Sequence, residues 1–137
     1  MMTSSSLKNF QLASNIDSLA KVENIIESIK DEHQIPDEIY GNILVSVSEG
    51  INNAIKHGNS LDSEKVVDFS FQITEKNYEF TISDKGPGFD FTNIPDPTHP
   101  DNLEKIDGRG VFIMKNLSDK LEFKNNGSRI ILTFNKV

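Results

Sequence analysis

Residues 46–58 read SVSEGINNAIKHG and end the longest regular pattern in the 137-residue sequence. The pattern begins at Ile35-Pro36, because proline is well tolerated in the first turn of a helix, and Gly58 supplies a C-terminal stop about 22 residues later. Apolar residues recur along it at helical spacing and form one stripe, which we expect to face a core. The stripe consists of Tyr40, Ile43, Leu44, Val47, Ile51, Ala54 and Ile55.

The opposite stripe of this predicted helix is polar and consists of Asn42, Ser46, Glu49, Asn53 and Lys56. Spacings of three and four residues place Glu49, Asn53 and Lys56 side by side, so the helix offers a base, a neutral oxygen ligand and a cation. Such a set is suited to a metal-bound phosphate. The solvated face of an amphipathic helix is the plainer interpretation, but asparagine in mid-helix is unfavourable, which favours a specific contact.

Alternating apolar residues on either side of the long helix predict a sheet. Phe10 and Leu12 alternate with polar neighbours as in a strand, and Ser14-Asn15 is then typical of the cap of a first helix. Alternation over residues 67–82, with a turn at 75–77, predicts an antiparallel hairpin.

The last third of the chain predicts a short helix followed by a second hairpin. Val111, Met114 and Leu117 mark the helix, and residues 121–134 alternate around Asn126-Gly127, a dipeptide typical of hairpin turns. The order of elements is strand, two helices, hairpin, loop, helix and hairpin. It predicts an α/β (α+β) fold, a two-layer sandwich of a mostly antiparallel sheet with all helices on one face.

Residues 84–107 have no sustained period and include four prolines, so they predict a long loop of the kind that is often functional. The loop opens with Asp84-Lys85-Gly86-Pro87-Gly88, directly after a predicted strand. A carboxylate there can accept a hydrogen bond from an exocyclic amine, and the glycines let the backbone approach a ligand closely, which suits adenine. The same residue types are also typical of an ordinary turn.

Gly108-Arg109-Gly110 opens the short helix. A glycine-rich entry to a helix presents unpaired N–H groups and a favourable dipole to phosphate oxygens, and Arg109 adds a positive charge. The segment lacks the third glycine of a dinucleotide fingerprint and the Gly-Lys-Ser/Thr of a Walker motif. A flexible loop end is therefore the alternative from these residues alone.

Length and composition narrow the classes of function. A chain of 137 residues and 15.4 kDa predicts one domain, residues 1–137, with an ordered core over 7–137. The net charge of -7 argues against duplex nucleic acid or an anionic membrane as partner. The sequence has no cysteine, which excludes disulfides, zinc-thiolate sites and thiol nucleophiles. It also shows no apolar leader or membrane-spanning apolar run, so we expect a cytoplasmic protein.

Taken in order, residues 49–58, 84–88 and 108–114 resemble the N, G1 and G2 boxes of the Bergerat-fold, histidine-kinase-like ATPase superfamily. That superfamily includes histidine kinases, gyrase and anti-sigma-factor serine kinases. The short length, and a glutamate four residues before the box asparagine, resemble most the stand-alone anti-sigma-factor serine/threonine kinases of bacterial partner-switching systems. The resemblance implies the histidine-kinase-like ATPase fold, with residues 84–107 as an ATP lid.

The same resemblance implies a role for individual residues. Glu49 would be the catalytic base facing a substrate hydroxyl, Asn53 the magnesium ligand, and Asp84 the acceptor from the adenine amine. The other ATP-binding residues that it implies are Lys56, His57, Gly86, Gly88, Gly108, Arg109, Gly110 and Ser128. ATP and magnesium are the implied cofactors. The family often has a basic residue directly before the G2 glycines, whereas Ile106-Asp107 stand there in this chain, so either Arg109 or Lys105 would meet the γ-phosphate.

The implied function is transcription regulation by a kinase, a transferase that phosphorylates an anti-sigma-factor antagonist and sequesters a sigma factor. Relatives in this group are commonly homodimers, and the strand around Phe10 would supply an edge for one. Two alternatives remain open. One is a nucleotide-gated binding module without phosphotransfer, and the other is a detached catalytic domain of a histidine kinase, which is less favoured because 137 residues leave no room for a phosphoacceptor hairpin.

Overall fold

A computed structural model describes residues 6–59, 62, 64–86 and 106–136. The strands in these ranges are β1 (Ser6–Ala13), β2 (Val66–Ile73), β3 (Asn77–Ser83), β4 (Lys120–Lys124) and β5 (Arg129–Asn135). The helices are α1 (Asp17–His33), α2 (Asp37–Asn53) and α3 (Ile106–Leu117). A single π-helical turn, Ala54–Gly58, continues α2 to the glycine at which the sequence predicts its end.

The strands form one sheet in the order β1-β2-β3-β5-β4, and every neighbouring pair is antiparallel. β2 and β3 form the first predicted hairpin, and β4 and β5 form the second. The second turn lies at the predicted place but is longer than two residues, since β4 ends at Lys124 and β5 begins at Arg129. Asn125 and Gly127 adopt left-handed backbone angles in it. The predicted antiparallel sheet is therefore confirmed.

Alternate strand residues face a single core that all three helices share. The pairs Phe10 with Phe69 and Phe80 with Leu132 lie directly opposite each other on neighbouring strands, and their side chains point to the same face. The Phe10 ring stacks on Phe69 at 6.2 Å between centroids. Val22 of α1, Ile43 of α2 and Met114 of α3 pack into this cluster, so the helices cover one face of the sheet. Each buried side chain of this size contributes roughly 1.5–3 kcal/mol.

The prediction that Ser14-Asn15 caps the first helix is wrong. Ile16 occupies the cap position of α1, and no side chain there binds the helix N-terminus. The Ser14 hydroxyl instead donates to the Lys65 carbonyl at 2.6 Å and accepts from the Asn59 side chain at 2.8 Å. Ser14 is fully buried beside the start of β2, so its hydroxyl has to be satisfied within the fold, and the Lys65 carbonyl and the Asn59 amide satisfy it.

α3 begins earlier than its apolar pattern predicts. Its first residue is Ile106, so Gly108 and Arg109 lie within the first turn and Gly110 lies just beyond it. The segment expected as a loop over 84–107 thus gives its last two residues to the helix. Glycine weakens a helix by about 1 kcal/mol, which is why the sequence pattern places the start too late.

Candidate functional site

The polar stripe of α2 is mostly covered, not solvated. Ser46 and Asn53 are 0% and 8% exposed, and Glu49 is partly buried, whereas Asn42 and Lys56 at the two ends are exposed. α3 packs along α2, and its Gly110 lies against Glu49 and Asn53. The solvated-face interpretation therefore fails for the middle of the stripe, the part that carries the predicted functional residues.

Gly110 of α3 lies directly against this stripe of α2. A Cβ atom placed on Gly110 would lie 3.1 Å from Glu49 Oε2, 3.3 Å from Asn53 Nδ2 and 3.4 Å from Asn53 Oδ1. The side chains of Glu49 and Asn53 thus meet over the bare backbone of Gly110. The structure brings these three predicted site residues together. It also explains why residue 110 is a glycine, because a side chain there would crowd Glu49 and Asn53.

Asn53 has the donor chemistry of a magnesium ligand. Its Oδ1 atom is buried and has no hydrogen-bond partner among the described residues, and the same holds for the Ser46 hydroxyl. An unsatisfied buried acceptor costs about 1–3 kcal/mol, which a bound cation would recover. Magnesium commonly binds through one or two protein oxygens together with substrate phosphates. The residues present therefore fit a magnesium ion bound together with a nucleotide.

The turn after β3 holds Asp84 in a half-buried position. The Asp84 backbone N–H donates to the Ser128 carbonyl at 2.9 Å, and the Gly86 N–H donates to Asp84 Oδ1 at 2.8 Å. Burial raises the pKa of the Asp84 carboxyl above its ordinary value, and the Gly86 amide and the Lys85 charge oppose that rise in part. A partly desolvated carboxylate gains from a further hydrogen-bond donor, as an adenine amine would be.

Lys85 and Asn59 fix this turn to the rest of the fold. The Lys85 ammonium pairs with Asp68 Oδ2 of β2 at 2.9 Å, and the Lys85 backbone N–H donates to Asn59 Oδ1 at 2.7 Å. Asn59 is fully buried, and sequence reasoning missed it. An asparagine directly after a helix-ending glycine is typical of any turn, so no local signal distinguishes it.

The predicted site residues described so far form two groups, one of Glu49, Asn53 and Gly110 and the other around Asp84. The remaining predicted residues lie at the margins of these two groups. Lys56 and Arg109 are exposed, one on the turn that follows Asn53 and the other beside Gly110. The Ser128 hydroxyl donates to the Asn125 carbonyl in its own turn, so Ser128 meets Asp84 through its backbone. For His57 the structure describes the backbone alone, within the π-helical turn. Gly88 and Lys105 lie outside the described residues.

The π-helical turn joins the two groups. The Asn59 N–H donates to the Ala54 carbonyl at 2.8 Å and closes the turn, so Asn59 follows the Glu49–Asn53 segment with no intervening flexible loop. Turns of this type are rare and are frequently found at functional sites.

None of the described helices is long and apolar enough to cross a membrane.

Comparison with known proteins gives three findings. A family described as "Histidine kinase-like ATPase domain" matches residues 12–134. Two proteins named "Serine-protein kinase RsbW", from Staphylococcus aureus strains bovine RF122 / ET3-1 and Newman, are each 32% identical to this chain over 97 residues, 65% of this chain and 61% of the relative. The match thus spans less than two thirds of the length of these relatives. The solved structure of the RsbU and RsbW domains of Rv1364c from Mycobacterium tuberculosis is similar with a TM-score of 0.68 at 15% identity, over 94% of this chain and 31% of that chain. This last likeness shows the fold.

Proposed function

This chain belongs to the histidine kinase-like ATPase domain family, and on that premise we propose that it is a magnesium-dependent serine/threonine protein kinase. Its substrate would be an anti-sigma-factor antagonist in a partner-switching system. The observation that carries the proposal is the meeting of Glu49 with Asn53 over Gly110, where the Asn53 Oδ1 atom is buried without a partner. A carboxylate and a buried amide oxygen lie there next to each other, and we assign them as the base and the metal ligand.

The Asp84 turn would bind the adenine base. Asp84 Oδ1 already accepts from the Gly86 N–H, so Oδ2 is the oxygen that we assign to the exocyclic amine. A hydrogen bond to a charged acceptor in a half-buried site contributes about 1.5–3 kcal/mol. The Gly86 amide holds the carboxylate in one orientation before the base arrives, which reduces the entropy lost on binding.

The Asn53 end would bind the triphosphate. Asn53 Oδ1 would hold magnesium, and the bound ion would supply positive charge for the phosphate oxygens. Lys56 lies one helical turn after Asn53, and Arg109 precedes Gly110 in the chain, and we assign both to the phosphate oxygens. The net charge of -7 makes these local cations necessary for an anionic ligand.

Glu49 would act on the acceptor hydroxyl. It lies one turn before Asn53 on the same face of α2, so a hydroxyl bound there is next to the phosphate end of the nucleotide. The carboxylate would orient this hydroxyl and accept its proton as the oxygen attacks the γ-phosphorus, while the bond from the γ-phosphorus to the β–γ bridging oxygen breaks and ADP leaves. A module that merely binds nucleotide has no use for a base in this position, so Glu49 supports the kinase over that alternative.

The names of the relatives support serine as the acceptor, because the Staphylococcus aureus proteins are named serine-protein kinases. A sigma factor as second partner, a homodimer and a cytoplasmic location stay predictions of the sequence resemblance. A single domain with an ATP lid over 84–107 also stays part of the proposal. α3 begins at Ile106, so the last two residues of that range are helical.

A phosphotransfer experiment tests the proposal. The purified chain is incubated with radiolabelled Mg-ATP and a phosphatase-treated soluble extract of its source organism, and labelled proteins are separated after acid treatment. We expect one acid-stable phosphoserine or phosphothreonine product, which is lost with Glu49→Gln although that variant still binds Mg-ATP. Acid-labile label would indicate phosphohistidine instead, and label that persists with Glu49→Gln would contradict the role given to Glu49.

A further inference from the structure

Asn59 joins three segments of the fold through one side chain. Its Oδ1 atom accepts from the Lys85 N–H at 2.7 Å, and its Nδ2 atom donates to the Ser14 hydroxyl at 2.8 Å and to the Val66 carbonyl at 3.1 Å. A backbone N–H can only donate and a backbone carbonyl can only accept, so the orientation of the amide is fixed by its partners. The residue is 0% exposed. Asn59 is thus a buried residue whose amide oxygen and amide nitrogen both have partners, at the junction of β1, β2 and the turn after β3.

The contact with Lys85 reaches the turn that carries Asp84. Three successive N–H groups of this turn are bound: that of Asp84 to the Ser128 carbonyl, that of Lys85 to Asn59, and that of Gly86 to the Asp84 carboxylate. The first partner belongs to the second hairpin and the third lies within the turn itself. The bond to Asn59 is the one of these three that ties the turn to the end of α2.

The backbone of Asn59 is tied to the other half of the site. Its N–H closes the π-helical turn on the Ala54 carbonyl at 2.8 Å, and Ala54 directly follows Asn53. Any displacement of Asn59 therefore also displaces the π-helical turn and the end of α2. One residue is bound through its backbone to the segment that carries Asn53 and through its side chain to the segment that carries Asp84.

We propose that Asn59 is a positioning residue that sets the place of Asp84 relative to Asn53 and thereby the selectivity of the site for adenine. The inference rests on the proposed binding of ATP, because it assigns the two ends of the nucleotide to these two residues. A base without the 6-amino group lacks the hydrogen bond that we assign to Asp84, whereas adenine loses that bond when the turn shifts. Asn59 therefore controls the selectivity for adenine over a base without the 6-amino group more than it controls overall affinity.

The test compares Mg-ATP with Mg-ITP, whose hypoxanthine base lacks the 6-amino group, by titration calorimetry on the full chain. For the wild type we expect Mg-ATP to bind about 10- to 100-fold more tightly, which is one hydrogen bond to a charged acceptor. With Asn59→Ala we expect this ratio to fall below about threefold. Asn59→Asp retains an acceptor for the Lys85 N–H and, when its buried carboxyl is protonated, an O–H donor for the Val66 carbonyl, so we expect it to restore most of the ratio.

Two control variants separate positioning from a general loss of stability. Ser14→Ala removes a different bond of the same buried network and leaves the Lys85 contact in place, so it lowers the unfolding temperature while the Mg-ATP to Mg-ITP ratio stays within twofold of the wild type. Asp68→Ala removes the exposed ion pair of Lys85 and should also keep the ratio. Circular dichroism establishes which variants fold.

The outcomes are distinct. A folded Asn59→Ala that keeps the wild-type ratio would show that Asn59 is a purely structural residue and overturn the inference while the proposed function stands. If Asn59→Ala does not fold, the Mg-ATP to Mg-ITP ratio of Asn59→Asp decides. A ratio near that of the wild type supports the role of the acceptor, and equal affinity for the two nucleotides overturns it. If the wild type itself binds neither nucleotide, or both equally, the proposed assignment of Asp84 to adenine fails, and the inference fails with it.

Discussion

Asp84→Asn should separate recognition of adenine from stability of the fold. The Asp84 carboxylate is half-buried, and its Oδ1 atom accepts from the Gly86 N–H at 2.8 Å. Asparagine can keep that bond with its own Oδ1 atom, which places its Nδ2 donor where the carboxylate presents Oδ2. The adenine amine then faces a donor instead of a charged acceptor. Loss of a bond worth about 1.5–3 kcal/mol weakens Mg-ATP binding about 10- to 150-fold.

The effect of the same substitution on stability follows from the pKa of Asp84. Folding raises this pKa above its ordinary value of 3.8 through burial, so the folded state favours the protonated carboxyl. The free energy of unfolding therefore falls as the pH rises through the window from 3.8 to the raised pKa, and the neutral amide removes that fall. At pH 7 we expect Asp84→Asn to unfold at the same temperature as the wild type or at a higher one.

Titration calorimetry with Mg-ATP and thermal unfolding between pH 4 and pH 8 measure the two effects. Asp68→Asn is the matched control, because it removes a negative charge from the ion pair with Lys85 without facing the base, and it should leave Mg-ATP affinity unchanged. Mg-ATP affinity within threefold of the wild type for Asp84→Asn would refute the assignment to adenine. A lower unfolding temperature at pH 7 would refute the argument from burial.

Three further substitutions test the packing around α2. Gly110→Ala places a methyl group 3.1 Å from Glu49 Oε2 and should lower the phosphotransfer rate about 10- to 100-fold, while the urea midpoint changes little. Gly50→Ala should lower stability and leave the phosphotransfer rate nearly unchanged, since its Cβ would lie 2.5 Å from Ile82 Cδ1. Urea unfolding should show a loss of about 1–3 kcal/mol in the free energy of unfolding. Asn53→Ala removes an unpartnered buried oxygen, so the nucleotide-free protein should keep its stability to within about 1 kcal/mol. Its affinity for ATP should no longer depend on magnesium, which titrations with and without a chelator measure.

The order and type of the elements could be predicted because they depend on local periodicity. Alternation over 67–82 and 121–134 is set by the pleat of a strand, and the stripe of α2 by the pitch of a helix. The start of α3 could not be predicted, since Gly108 and Gly110 are poor helix formers and tertiary packing on α2 overrides that preference. The partner of Ser14 was missed for a related reason: Lys65 lies far away in the chain and close in the fold.

The residues of the candidate site also fall into those that local sequence predicts and those that depend on contacts across the fold. Glu49, Asn53 and Asp84 belong to short motifs whose chemistry is readable at fixed spacing, and the structure brings the first two together. Gly50 and Asn59 carry no motif, because their importance comes from contacts across the fold, with Ile82 in one case and Lys85 in the other. Burial of the polar face of α2 also depends on α3, an element more than 50 residues further along the chain.

Thermal unfolding of the wild type with Mg-ATP, with ATP plus a chelator and without nucleotide tests the central claim most directly. Ligand at 100 times its Kd adds about 2.7 kcal/mol to the free energy of unfolding, which corresponds to several degrees for a domain of this size. We predict that Mg-ATP raises the unfolding temperature by this amount and that the chelator removes most of the rise. An unchanged unfolding temperature with saturating Mg-ATP would contradict a nucleotide site between Asn53 and Asp84.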